Sequence, residues 1–281
     1  MKTRVITGAC AIALFIPICW FSQYIIFPLA ISILATVAVY EMAKCLGYNK
    51  TPVLTIPMYV FAFIVPLMRF FFIRQSHYLA FALVVLFAIL VYSLAYVMLR
   101  KNQDNLSQII TMYAMFLYIV GCFASIVCLR YFDYGPTKGI LDGKYLYLLV
   151  FIGAWVCDTF AYFTGRFFGK HKLIPEISPK KTIEGAIGGI VFTAVAFGIY
   201  VLILDKCFNY KLNPIALIIL GIVVAVISQI GDLIASAIKR QYEIKDYGFI
   251  FPGHGGVLDR FDSVMLVAPT VYVFFVFVSL F

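Results

Sequence analysis

Long apolar stretches alternate with short polar connections along the whole chain. The apolar windows span residues 5–22, 24–46, 53–73, 77–99, 108–130, 145–165, 184–204, 212–236 and 263–281. Most are close to the roughly 20 residues that a helix needs to cross the hydrocarbon core of a bilayer. Because they are continuously apolar and lack the alternation of barrel strands, they predict helices. We therefore expect an all-α, polytopic integral membrane helix bundle with about nine transmembrane helices.

The composition excludes most other protein classes. Of the 281 residues, 64% are hydrophobic and 12% are charged, whereas soluble domains carry about 25% charged residues. A mean hydropathy of +1.00 also excludes a disordered chain. The 7 cysteines are scattered through the apolar windows without paired Cys-x-x-Cys spacing, so we predict neither a disulfide framework nor a zinc site.

Two polar loops, 166–183 and 239–262, are longer than the other connections. The first holds five Lys or Arg residues, and the second holds most acidic residues of the C-terminal third. Since two helices separate these loops, both are expected on one side of the membrane, where together they would form the active site. With nine spans, the larger share of the Lys and Arg residues lies on that side, which predicts that it is cytoplasmic. We divide the chain into N-terminal transmembrane helices, 1–144, and a catalytic transmembrane region, 145–281.

The first polar loop contains the run Ser178-Pro179-Lys180-Lys181-Thr182. Proline is favoured at the first position of a helix, so the run predicts a helix beginning at Pro179 with Ser178 at its N-cap. A helix N-terminus surrounded by ammonium and hydroxyl groups is suited to binding a phosphate. Alternatively, Ser178 only caps the helix and the two lysines extend towards the membrane interface. Both interpretations remain open from the residues alone.

The helix before the second polar loop carries a polar stripe. If this helix extends to residue 240, then Gln229, Asp232, Ser236 and Lys239 lie on one face of an otherwise apolar helix. Ionisable groups inside a membrane are costly when they face lipid. The stripe is therefore expected to face protein, water or a ligand.

A glycine-rich turn, Pro252–Gly256, follows this stripe. Its glycines allow positive φ angles, and the carboxylates of Asp259 and Asp262 are predicted to point from the turn back towards the stripe. Carboxylates from separate segments suit Mg²⁺, which completes its shell with water and substrate phosphate. The alternative is a salt-bridged helix entry in which the two acids only neutralise neighbouring basic residues.

The second polar loop resembles a known signature. From Ser236 to Asp262 it contains Ser-x-Ile-Lys-Arg-x4-Lys-Asp-x-Gly-x-x-Phe-Pro-x-His-Gly-Gly-Val-x-Asp-Arg-Phe-Asp, which is similar to the C-terminal signature of phosphatidate cytidylyltransferases, or CDP-diacylglycerol synthases. The stretch 158–185, with Gly-Arg-x-x-Gly-Lys and Ile-Ser-Pro-Lys-Lys-Thr-x-Glu-Gly, resembles the upstream pattern of that family. The resemblance covers most of residues 150–265, whereas residues 1–145 share only their hydrophobic character with it.

The resemblance implies that CTP and phosphatidic acid react to CDP-diacylglycerol and pyrophosphate in phospholipid biosynthesis, with Mg²⁺ and a possible second cation. The residue inventory suits this reaction, because two highly charged phosphate groups must meet and metal ions with Lys or Arg side chains can neutralise them. The lipid is expected to enter sideways from the bilayer. The resemblance further implies a bacterial inner-membrane protein and a homodimer, and no nucleic-acid partner is expected.

Residues of both polar loops are assigned to this chemistry. Asp232 and Asp259 are predicted to hold the essential cation. The residues predicted to serve the reaction are Asp232, Asp246, Asp259, Asp262 and Lys239, with Asp246 and Asp262 as further ligands or as groups that orient basic side chains. The residues predicted to bind substrate are Ser178, Lys180, Lys181, Thr182, Ser236, Arg240, His254 and Arg260.

Two other functions use similar residues or composition. A CTP-dependent kinase acting on a polyprenol or phytol-like alcohol would need the same cations and also a base for a neutral hydroxyl, for which Asp158 or Asp246 is available. A transporter is compatible with the composition, but it predicts ionisable residues near the middle of the membrane and a repeat between halves. The ionisable residues instead collect in two loops on one side, which favours the enzyme.

Overall fold

The computed structural model describes residues 2–72, 74–99, 106–132, 143–208, 212–253 and 255–278. Within these ranges the helices are α1 (Lys2–Trp20), α2 (Ile26–Cys45), α3 (Pro52–Met68), α4 (Gln75–Leu99), α5 (Leu106–Arg130), α6 (Gly143–Leu146), α7 (Leu148–Phe168), α8 (Ile183–Phe208), α9 (Pro214–Gln241) and α10 (Leu258–Val278), with a 3₁₀ turn at Tyr48–Lys50. A helix lies at every predicted apolar window. The predicted all-α membrane fold is confirmed.

Seven helical segments in the described part of the chain are long and apolar enough to cross a membrane. They are α2, α4, α5, the segment Gly143–Phe168 formed by α6 and α7, α8, α9 and α10. The apolar part of α1, Thr7–Trp20, and the whole of α3 are shorter. The protein is therefore a multi-pass membrane protein, and the count of nine spans stays a prediction.

A small β-hairpin interrupts the helices between α7 and α8. Its strands are β1 (Lys172–Ile174) and β2 (Ser178–Thr182), which pair antiparallel. The predicted helix start at Pro179 is therefore wrong, because Pro179 lies within β2 and α8 begins at Ile183. Pairing with β1, which the local sequence does not reveal, determines the conformation of this run.

Thr182 performs the capping role that the sequence analysis gave to Ser178. The backbone N–H of Gly185 donates to Thr182 Oγ1 at 3.1 Å, which satisfies one of the unpaired donors at the start of α8. The lysines that precede this cap are consequently held on a strand. Their position is fixed by β1 and by the first turn of α8 rather than by a flexible loop.

The chain forms two compact units. The first comprises Met1–Cys128 and Tyr242–Arg260, and the second comprises Leu129–Gln241 and Phe261–Phe281. In the first unit, α2 and α3 bury Phe27, Leu54 and Met58 completely. The predicted division into residues 1–144 and 145–281 differs from these units, because the second polar loop joins the N-terminal helices, and it stays a prediction of catalytic organisation.

In the second unit, glycines bring α7 and α8 close together. A Cβ atom on Gly185 would lie 3.1 Å from the Cα atom of Gly165 and 2.7 Å from the carbonyl oxygen of Ala161. Small residues allow such close approach of membrane helices, whose association depends on packing. The close packing holds together the end of α7 and the start of α8, which the hairpin connects.

Candidate active site

An open pocket of about 300 Å³ lies in the second unit among α7, the hairpin, α8 and α9. It is lined by Asp158, Ala161, Tyr162, Gly165, Arg166, Leu173, Lys180, Lys181, Thr182, Gly185, Ala186, Gln229 and Asp232. Both acidic and basic side chains therefore reach the same pocket. Lys180, Lys181, Thr182 and Asp232, which were predicted from different segments of the sequence, are brought together here.

The charges in this pocket are directly paired. Lys181 Nζ on β2 lies 2.7 Å from Asp232 Oδ2 on α9, and both side chains keep about a quarter of their surface exposed. Ser236, one turn further along α9, donates its hydroxyl to Asp232 Oδ1 at 3.3 Å. The Lys181 Nζ atom itself is buried, so a ligand that binds this ammonium group must displace the carboxylate of Asp232.

The polar stripe on α9 faces protein, as predicted. Gln229 Nε2 donates to the carbonyl oxygen of Ala186 on α8 at 3.2 Å, and Asp232 pairs with Lys181 of β2. Lys239, near the end of α9, interacts electrostatically with Asp262 of α10. The stripe thus connects α9 to three other elements of the second unit.

A second group of carboxylates adjoins the stripe. Asp262 interacts electrostatically with Asp232 and Asp158, and Ser263 Oγ donates to Asp158 Oδ2 at 2.8 Å. A Cβ atom on Gly231 would lie 2.8 Å from the carbonyl oxygen of Asp262, so α9 and α10 approach closely at this level. The repulsion among three neighbouring carboxylates is relieved either by a nearby cation or by protonation of one of them.

Glu184, in the first turn of α8, fixes the segment that leads from α7 into the hairpin. Its carboxylate accepts the backbone N–H groups of Lys170 at 3.1 Å and His171 at 3.2 Å. It also lies 2.7 Å from His171 Nδ1. The sequence analysis assigned no role to Glu184, although an acidic residue in the first turn of a helix is a signal for such contacts.

In the first unit, Asp259 closes the glycine-rich turn. Its Oδ2 atom accepts the backbone N–H groups of Tyr247 at 2.7 Å and Gly256 at 3.0 Å, and the residue is only 6% exposed. Gly253 and Gly255 have φ angles of 75° and 85°, which confirms the predicted positive φ angles. A Cβ atom on Gly255 would also lie 2.7 Å from Asp259 Oδ2, so this carboxylate packs directly against the turn.

Glu41 on α2 contacts the same turn and was missed from the sequence. Its carboxylate accepts the backbone N–H groups of Val257 and Leu258. No spacing rule connects residues more than 200 positions apart. The available signal was a single acidic residue inside an apolar helix, which is costly without a partner.

The structure places the other predicted residues in different settings. Ser178 begins β2, Arg240 lies exposed near the end of α9, and in the first unit Asp246 is half-buried while Arg260 is exposed. His254 lies outside the described residues. Among the side chains that the structure describes, no three His, Cys, Asp or Glu residues form a group that could hold a metal ion. The cation and the roles of these residues remain predictions.

Comparison with known proteins adds independent evidence on this chain. Residues 2–278 match the model of the Cytidylyltransferase family. A phosphatidate cytidylyltransferase of Bacillus subtilis is 34% identical over 278 residues, which cover 97% of this chain and 96% of that protein. A phosphatidate cytidylyltransferase of Staphylococcus saprophyticus is 34% identical over 271 residues, covering 96% of both chains. One of Thermotoga maritima is 34% identical over 176 residues, covering 62% of both chains. The chain therefore belongs to the cytidylyltransferase family.

Proposed function

We propose that this protein is a phosphatidate cytidylyltransferase, which joins the cytidylyl group of CTP to phosphatidic acid and releases pyrophosphate. Family membership supports a cytidylyl transfer, and the names of the relatives support phosphatidic acid as the acceptor. The seven candidate membrane spans suit a lipid substrate. The product would be CDP-diacylglycerol, a precursor of phospholipids.

The observation that carries the proposal is the pocket that combines Lys180, Lys181 and Thr182 with Asp158 and Asp232. Ammonium and hydroxyl groups bind phosphate oxygens, while carboxylates bind the metal ions that accompany nucleoside triphosphates. A transport path would not need both sets of groups in one pocket. Their combination supports phosphate transfer chemistry within this family.

The reaction needs charge neutralisation more than proton removal. A phosphate oxygen of phosphatidic acid forms a bond to the α-phosphorus of CTP, and the bond from this phosphorus to the oxygen bridging to the β-phosphorus breaks. Pyrophosphate leaves with the electron pair of that bond. A phosphate monoester loses its second proton with a pKa of about 6, so the acceptor is largely dianionic at neutral pH. No general base is therefore assigned.

Basic and hydroxyl side chains of the pocket are assigned to the phosphates. Lys181 would leave its ion pair with Asp232 to contact a phosphate oxygen, and Lys180 and Arg166 line the same pocket. Thr182 lies beside them, with its hydroxyl accepting the N–H of Gly185. Ser236 remains assigned to one phosphate oxygen. These contacts would hold the two substrates in line.

Mg²⁺ is the proposed cofactor, with a possible second cation. The oxygen donors around Asp232 suit a hard cation, and Mg²⁺ usually takes one or two protein carboxylates. Asp232 stays a proposed ligand, and Asp262, which is close enough to interact electrostatically with it, stays a proposed further ligand. Asp259 stays a proposed ligand from the sequence. When bound, Mg²⁺ would neutralise charge on the transferring and leaving phosphates.

The membrane setting and assembly extend this proposal. We place the protein in a bacterial inner membrane with both polar loops in the cytoplasm, because the basic residues favour that side and CTP is cytoplasmic. The homodimer implied by the family resemblance stays a prediction. Cysteine labelling of single variants in each polar loop and mass measurement of the detergent complex test these two points.

The deciding experiment follows two labels through purified, detergent-solubilised protein. With phosphatidic acid, α-labelled CTP and Mg²⁺, label is expected in the lipid, whereas γ-labelled CTP should leave all label in pyrophosphate. Omission of Mg²⁺ should abolish the reaction. Transfer of the γ-label to a polyprenol or phytol-like alcohol, with no α-label in lipid, would instead identify the lipid-alcohol kinase and overturn the proposal.

A further inference from the structure

Glu41 is a buried carboxylate in a membrane helix. It lies in the last turns of α2 and is 2% exposed, next to the buried residues Met42 and Ala38. A carboxylate that is withdrawn from water needs hydrogen-bond partners, because it loses its hydration. The groups that donate hydrogen bonds to the Glu41 carboxylate indicate its function.

Both oxygens of Glu41 bind the start of α10. The N–H of Val257 donates to Oε1 at 3.0 Å, and the N–H of Leu258 donates to Oε2 at 2.9 Å. Such N–H groups at a helix start have no partner within the helix and carry the positive end of its dipole. The next N–H towards the N-terminus, that of Gly256, donates to Asp259 Oδ2. Two carboxylates thus hold three consecutive backbone amides.

The turn is shaped to receive this carboxylate. A Cβ atom on Gly256 would overlap both carboxylate oxygens of Glu41, and one on Gly248 would overlap its Oε1 atom. These glycines therefore serve close packing against Glu41, and neither has a positive φ angle. Two glycines of the signature are explained by a residue more than 200 positions away.

A second residue of α2 reaches the same segment. Lys44 Nζ lies 5.8 Å from the centre of the Phe249 ring, within the range of a cation–π interaction. Lys44 also interacts electrostatically with Glu41, as does Asp259. Two residues near the end of α2 therefore contact the segment that contains the turn, and Glu41 is the buried one of the two.

We propose that Glu41 is a positioning residue for cytidylyl transfer, which fixes residues 255–260 and thereby orients Asp259 and Arg260. This inference rests on the proposed function, in which Asp259 and Arg260 meet cation and phosphate. Glu41 acts through backbone amides and does not itself touch substrate. Because a misplacement of about 1 Å can slow catalysis by about a hundredfold, holding this turn matters to the rate.

The test compares Glu41→Gln, Glu41→Asp and wild type as purified full-length proteins. Glu41→Gln keeps the volume but presents an NH₂ group to one backbone N–H, so we expect kcat to fall about tenfold or more and the half-saturating Mg²⁺ concentration to rise. The KM for phosphatidic acid should stay within about twofold. Glu41→Asp, a shorter carboxylate, should recover part of kcat. Ser32→Ala, a buried substitution on the same helix, is the control and should match wild type.

A double-variant cycle with Gly248→Ala tests the contact from the side of the turn. Gly248→Ala alone should lower kcat because its methyl group displaces the Glu41 carboxylate. In a Glu41→Ala background that carboxylate is absent, so adding Gly248→Ala should change kcat by less than about twofold. If Gly248→Ala lowers kcat equally in both backgrounds, its contact with Glu41 is not the cause of the loss.

The remaining outcomes separate this inference from the proposed function. If the wild-type protein incorporates no α-label into lipid, the proposed function itself is wrong. If wild type is active and Glu41→Gln has the same kcat and Mg²⁺ dependence, Glu41 does not position the reacting groups. A loss of activity that only follows the loss of folded protein, measured by size-exclusion chromatography after heating, would reduce Glu41 to a stabilising residue and also overturn the proposal.

Discussion

In the first unit, the buried carboxylates of Glu41 and Asp259 accept backbone N–H groups, whereas in the second unit Asp158 and Asp232 face side-chain hydroxyl and ammonium groups. Backbone amides cannot move without moving the chain, so contacts with them fix its path. Side chains such as Lys181 can rotate towards a ligand instead. The comparison separates carboxylates held by the backbone from carboxylates whose partners are side chains that can move.

Asp232→Asn should have the largest effect on catalysis. The amide cannot replace the charge that pairs with Lys181 and is proposed to bind Mg²⁺, so kcat should fall by about a thousandfold. The melting temperature should change little, because the side chain is partly exposed. Incorporation of α-label into lipid measures the rate. Asp205→Asn, an exposed change at the far end of α8, is the matched control. A kcat within a few-fold of wild type would exclude Asp232 as a ligand.

Variants of Asp259 test whether one carboxylate both holds the glycine-rich turn and binds the proposed cation. Asp259→Asn keeps an oxygen for the N–H groups of Tyr247 and Gly256 but removes the charge, and we expect kcat to fall about a hundredfold with the fold retained. Asp259→Ala also removes both hydrogen bonds and should destabilise the protein by about 2 to 3 kcal/mol. Denaturation in mixed micelles and lipid labelling measure the two effects. Full activity in Asp259→Asn would exclude Asp259 as a cation ligand and limit its role to the hydrogen bonds with the turn.

Lys181→Met should chiefly weaken substrate binding. Loss of the ammonium group removes a phosphate contact and leaves Asp232 without its basic partner, so the KM for CTP or phosphatidic acid should rise about tenfold. The kinetic assay at varied CTP and at varied lipid identifies which substrate contacts Lys181. Lys206→Met, at the exposed end of α8, should behave as wild type. An unchanged KM for both substrates would remove Lys181 from the phosphate site.

Thr182→Val should give the smallest effect, and it acts on stability. The substitution keeps the shape of the side chain but deletes the hydroxyl that accepts the N–H of Gly185. The free energy of unfolding should therefore fall by about 1 kcal/mol. Thr182→Ser, which retains the hydroxyl, should restore most of the loss. If Thr182 also binds phosphate, the valine variant will show a higher KM as well, and an unaltered KM would limit Thr182 to capping.

The sequence predicted the helices well because a membrane imposes a strong constraint on them. The window 108–130, for example, corresponds to α5, Leu106–Arg130, since apolar length alone defines a span. The stripe on α9 was also predicted correctly, because helical periodicity places Gln229, Asp232 and Ser236 on one face. These features depend on residues close in sequence, which is why they could be found without the structure.

The features that were missed depend on distant pairings. The run from Ser178 contains a serine, a proline and a threonine that each suit a helix start, and only its pairing with β1 selects Thr182 as the cap. Glu41 is similar, because its partners at Val257 and Leu258 lie in another part of the chain. Asp259 was recognised through its motif, but its hydrogen bonds to the turn became visible only in the structure.

The separation of Glu41 from its partners has a consequence for synthesis of the protein in the cell. Glu41 and Val257 are 216 residues apart, and a ribosome adding about 5 to 20 residues per second needs about 10 to 40 s to cover that distance. During this time α2 enters the membrane with a carboxyl group whose backbone partners do not yet exist. The contacts of Glu41 with the start of α10 can therefore form only after Leu258 has been synthesised, long after α2.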